Sequence, residues 1–77
     1  MEILRDILEQ IRNENEKPIC VNIYSSHTYA NCIDNLLIGR FFNYENIGVW
    51  LLVQIVDSFD VKIYKSIVDV NIYLKEI

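Results

Sequence analysis

The chain has 77 residues, a net charge of −4, 52% hydrophobic side chains, 12% aromatic ones, two glycines and one proline. That length restricts it to one domain, and the apolar content excludes intrinsic disorder. Arg40 is the sole Lys or Arg between Pro18 and Val61, so the middle of the chain offers no basic stripe of the kind that grips phosphates. A domain this small buries only about 60% of the surface its unfolded chain exposes, and such domains often gain stability by association.

Residues 2–15 carry Ile3, Leu4, Ile7, Leu8 and Ile11 at helical spacing, with charged residues mostly on the other face. This predicts an amphipathic helix within residues 1–16. Pro18 forbids its continuation. Residues 18–25 alternate, with Ile19, Val21 and Ile23 on one side and Cys20, Asn22 and Tyr24 on the other, and read as a strand. The polar residues 25–31 read as a connection. Residues 35–43, with Gly39 inside an apolar run, read as a strand with a bend or bulge; Thr28 to Leu37 as a short helix is the alternative. Asn43 to Asn46 reads as a turn. Residues 47–56 are apolar on both faces, as in a central strand or one covered by another chain. Asp57 to Asp60 reads as a turn, residues 61–65 as a strand, Ser66 to Asp69 as a corner and residues 70–74 as the last strand.

One helix and then about five short, strongly bent antiparallel strands predict a mainly β domain that curls into a small barrel. Lys17-Pro18-Ile19-Cys20-Val21 opens the first strand, Gly39 lies in the second, and Ile67-Val68-Asp69-Val70 forms the corner into the last. In these features the chain resembles the Sm-like small barrels, with an SH3-like barrel as a structural rival. The resemblance is one of architecture over almost the whole chain. It implies rings joined through strand edges. The family's RNA-binding segments are not matched: Asn43-Tyr44-Glu45-Asn46 stands in the place of the first, and Lys65-Ser66, without a glycine, in the place of the second.

The residues give little to catalysis. His27 is the single histidine, and Cys20 or Cys32 beside it lacks an evident third group to form a nucleophilic triad. His27, Cys32 and Asp34 lack the paired close spacings of a structural zinc site. A non-enzymatic protein without metal or cofactor, its thiols reduced, is the expectation. The chain starts directly on a charged helical pattern, and no apolar run reaches the ~18 residues that span a membrane; the expected location is cytoplasmic, the host cytoplasm if the protein is phage-encoded.

The aromatic and apolar excess points to contacts with other chains. Trp50, Leu52, Val56, Phe41 and Tyr73 are the candidate oligomer or partner interface, and Tyr44, Asn46 and Lys65 are candidate ligand or partner contacts. The function expected from this is a self-associating protein-interaction module. In style the composition is that of a small phage or mobile-element product, such as an inhibitor of a bacterial defence system. An Sm-like oligomer holding RNA or a nucleotide at subunit junctions is the alternative.

Overall fold

The computed structural model describes residues 2–29, 32–42 and 44–75, with side chains described outside residues 26–35. The chain is mainly β, with an N-terminal helix, as the sequence leads one to expect. Helix α1 (Leu4–Glu14) precedes strands β1 (Ile19–Tyr29) and β2 (Cys32–Phe41). One 3-10 turn (Tyr44–Asn46) and the short helix α2 (Val49–Leu52) follow, and then β3 (Val56–Ile63) and β4 (Val68–Leu74). The four strands form one mixed sheet in the order β2-β1-β4-β3. Two antiparallel hairpins therefore lie side by side, joined through the parallel pair β1–β4, in which Ile19 stands beside Val68 and Ser25 beside Leu74. This is an open four-stranded sheet, where the sequence pointed to a five-stranded barrel. Among the described residues, no helix is long and apolar enough to cross a membrane.

Helix α1 forms where its apolar stripe can be buried. Leu4, Ile7, Leu8 and Ile11 face the sheet and are buried, with Leu4 and Leu8 at 0% and 1% exposure. The first turn has no capping side chain. Instead the Leu4 amide donates to the Gln54 carbonyl at 2.9 Å, satisfying one of the free donors that every helix start leaves. At the other end, Asn15 Nδ2 donates to the Ile11 carbonyl at 2.8 Å, and Pro18 keeps the chain extended. The covered face of the sheet supplies Val21 and Ile23 from β1 and Val68, Val70, Ile72 and Leu74 from β4, all buried with α1 and with Ile47, Leu51, Leu52 and Val56 in one core.

Three segments depart from the expected elements. Residues 49–52 form α2, not a strand: Leu51 and Leu52 point into the core, and Val49 and Trp50 face solvent at 73% and 60% exposure. The residues taken for a turn, Asp57 to Asp60, lie inside β3, with the strand's irregularity falling between Val56 and Ser58. The polar stretch after Ser25 continues β1 to Tyr29, paired only with β2 because β4 has already ended at Leu74. Residues 28–29 and 32–37 are therefore strand, which removes the short-helix alternative for them. The bulge expected at Gly39 is present: Ile23 pairs with Gly39 and Tyr24 with Leu37, leaving Ile38 unmatched. A Cβ at Gly39 would stand 2.9 Å from Phe41 Cε2, so the Phe41 ring occupies the space a side chain would need.

Truncating Leu8 to Ala removes a fully covered side chain at the helix–sheet contact and is expected to cost about 2–5 kcal/mol. Thermal or urea unfolding followed by circular dichroism reads this directly. An unchanged midpoint would mean that α1 does not hold the sheet's covered face.

Candidate protein interface

Helix α1 covers the central strands and stops short of β3. The side chains of β3 that point to the covered face are Phe59, Val61 and Ile63, by their pairing with Ile72, Val70 and Val68. They remain 46%, 36% and 62% exposed. Together with Ile7, Gln10, Ile11 and Glu14 of α1 they line a groove of about 390 Å³. A neighbouring hollow continues it past Glu2, Val56 and Ser58 along the start of the strand. Single exposed apolar residues are ordinary; here three stand in a contiguous row beside a strand edge.

The backbone of β3 is open on the same side. The Tyr64 amide donates to the Ile67 carbonyl at 2.9 Å, so Tyr64 faces β4. The Val68 amide donates to the Pro18 carbonyl at 2.9 Å, so Val68 turns towards β1 and its partner Ile63 turns outward. Antiparallel ladders alternate in this way, which places the amide and carbonyl groups of Phe59, Val61 and Ile63 on the outer edge. Where the strand begins, that edge is occupied. Ile3 bridges to Ile55, and the Val56 amide donates to the Glu2 carbonyl at 3.1 Å. Beyond Val56, no described residue pairs with it.

The opposite face of the sheet is polar and internally bonded. Arg40 Nε donates to Asn22 Oδ1 at 2.7 Å, and Asn22 Nδ2 donates to Asp69 Oδ1 at 2.9 Å and to Asn71 Oδ1 at 3.2 Å. Asn71 Nδ2 continues the row to Asp60 Oδ1 at 2.9 Å. All four strands are thus tied side chain to side chain, with Asn22, 3% exposed, at the centre. Beside this row the Tyr24 and Tyr73 rings stack at 5.2 Å. Cys20 is a buried free thiol on the same face. Burial raises its pKa above the ordinary 9.0, and the Asp69 carboxylate adds to the rise. A thiol held in its neutral form is a poor nucleophile. The side chains of His27, Cys32 and Asp34 lie outside the described residues; among those described, no three His, Cys, Asp or Glu gather as a metal site would require.

The residues singled out from sequence are dispersed. Leu52 and Val56 are buried within the chain's own core, Phe41 packs against it, Tyr73 stacks on Tyr24, and Trp50 is exposed on α2. Tyr44 and Asn46 share the 3-10 turn, where the Arg12 guanidinium lies 5.5 Å from the Tyr44 ring and the Tyr44 hydroxyl donates to Glu9 Oε1 at 3.5 Å. Burial, with Glu9 nearby, raises the pKa of that hydroxyl. Lys65 is exposed on the separate turn between β3 and β4. Phe59, Val61 and Ile63 are not among the interface candidates that the sequence offers: Val61 and Ile63 read as strand, but Phe59, which extends their alternation, has turn residues on both sides.

No protein family matches the chain, and no curated protein or solved structure matches it.

Two outcomes test the polar face. Changing Asn22 to Ala strands Arg40 and two neighbouring side chains and is expected to cost about 1–3 kcal/mol in denaturant unfolding. Because the folded pKa of Cys20 is raised, its contribution to stability is whole below pH 9.0 and declines as pH rises beyond it. Site-resolved alkylation of Cys20 should therefore stay slow in the folded protein and accelerate on unfolding. Equal rates in both states would contradict the burial.

Proposed function

We propose that the chain is a non-enzymatic, self-associating protein-interaction module whose joining element is the outer edge of β3. The observation that carries this reading is the coincidence of two unmet needs on one strand. The outward backbone groups of Phe59, Val61 and Ile63 lack a protein partner among the described residues, and the side chains of the same three residues lie half-covered in the α1 groove. An added strand answers both, hydrogen-bonding the edge and closing the groove. Edge strands that are not used for pairing are commonly short or protected by proline or inward charge. Here the three groove-facing residues are Phe, Val and Ile.

A second reading, RNA or a nucleotide held on the open face, has the half-buried Tyr24–Tyr73 stack on the same face as Arg40 in its favour, since aromatic rings can carry bases. Asp60 and Asp69 on that face repel phosphate. A purified protein with raised absorbance at 260 nm would favour this second reading.

The interaction reading is tested by Val61→Pro, which deletes an outward amide without removing a bond to β4. Light scattering at micromolar concentration should give the parent a multiple of its 9.1 kDa mass and give the variant 9.1 kDa with an unchanged far-ultraviolet spectrum. A parent at 9.1 kDa, or a folded variant that still associates, would defeat the reading.

A further inference from the structure

We infer that the strand added to β3 is β3 of a second copy of the chain, running antiparallel across a two-fold axis at Val61. This rests on the edge reading above and adds the partner and the register.

The backbone limits the choices first. Only outward-facing residues can exchange hydrogen bonds across a new antiparallel junction, and on β3 these are Phe59, Val61 and Ile63. An axis falling between two residues sets outward groups against inward ones and makes no ladder. An axis on a residue is allowed. With the axis at Val61, the two Val61 residues exchange a pair of bonds, and each Phe59 exchanges a pair with the partner's Ile63. All the open groups of the edge are then matched.

Charge selects among the allowed axes. Asp60 and Lys62 flank Val61 and point to the polar face, opposite Asn71 and Asp69 of β4. About an axis at Val61, each Asp60 stands directly across from the partner's Lys62. Moving the axis to Asp60 sets the two aspartates against each other, and moving it to Lys62 sets the two lysines against each other. Directly opposed like charges destabilise a strand pair and opposite charges support it. The same axis places Phe59 beside the partner's Ile63 and Val61 beside the partner's Val61 on the groove face. A two-fold axis perpendicular to the sheet keeps both α1 helices on one side, so the two grooves meet and become one apolar seam. The strand start, where Glu2 and Ile3 already pair with Val56 and Ile55, stays outside the junction. Because the surface is the same on both copies, the association closes at two.

The experiment uses the full chain and two charge variants, Asp60→Lys and Lys62→Asp, with mass read by sedimentation and fold by circular dichroism. The parent is expected at twice 9.1 kDa. Each variant alone opposes like charges at both symmetry-related sites and should dimerise roughly tenfold or more weakly. Mixed in equal amounts, the two variants restore opposite charges in this register and should form a heterodimer. Val61→Cys gives a second test that does not depend on charge. Paired residues on hydrogen-bonded strands lie about 5.5 Å apart at Cα, within disulfide range. Mild oxidation should therefore link the two introduced thiols to each other across the axis, and a Ser58→Cys control should not link. Variants that dimerise alone as the parent does, or a Val61→Cys protein that dimerises without cross-linking, would overturn the register. If Val61→Pro still abolishes association in that case, the edge reading survives; a parent that stays at 9.1 kDa removes both.

Discussion

One helix has to cover four strands, and it is too narrow to do so. An α-helix with its side chains is about 10–12 Å across, and adjacent strands lie about 4.8 Å apart. A single helix therefore shields roughly two strands. In this chain those are the parallel central pair, whose groove-side residues Val68, Val70, Ile72 and Leu74 are fully buried. Helix α2 adds Leu51 and Leu52 to the core, and Ile47, in the link between the 3-10 turn and α2, joins them. The margins stay short of cover: on β3, Phe59 and Ile63 are 46% and 62% exposed while their β4 neighbours Ile72 and Val68 are at 0%, and on β2, Leu36 is 62% exposed.

The parallel central pair also decides where the edges fall. Each hairpin turns away from the centre, so β2 and β3 become the two margins of the sheet. The hydrogen-bonded row from Arg40 through Asn22 and Asn71 to Asp60 runs across all four strands on the uncovered face. A slip of any strand by one residue would send these polar side chains into the core. The row thus helps to fix the register of the sheet on the face where no apolar layer does so, and it holds β3 in place without covering its outer edge.

The sequence shows the helix and both central strands plainly. The stripe through Leu4, Ile7, Leu8 and Ile11 has a clear period, and so do Val21–Ile23 and Val70–Leu74, because each element is buried on one side only; Val68 and Asp69, which read as a corner, begin β4. The region from 47 to 60 is obscure for a physical reason. Four residues of α2 are too few to separate a helical period from a strand period, and the two outward residues Val49 and Trp50 are as apolar as the inward Leu51 and Leu52. In β3 the bulge at Asp57 shifts the alternation by one position, so Asp57-Ser58 followed by Asp60 has the composition of a turn. Of the candidate site, the sequence shows the apolar excess; it hides which strand edge is left open beside it, since that depends on the order of the strands and on how far α1 reaches.

The partial cover at the start of β3 bears on how the rest of its edge is used. Glu2 to Leu4 lies along residues 54–56 and satisfies the outward Val56 amide, and the bulge at Asp57 follows immediately. Both devices protect an edge where they occur, and both end before Phe59. Protection that continued would place a charge or a proline among the outward positions. The chain instead has Phe59, Val61 and Ile63 there and keeps Asp60 and Lys62 on the other face, where one supplies the acid and the other the base. Within one chain these charges already have neighbours, since Asp60 accepts from Asn71 and Lys62 stands opposite Asp69; the two-fold axis proposed at Val61 would set the same two charges against each other across the junction, opposite in sign and symmetric about one residue.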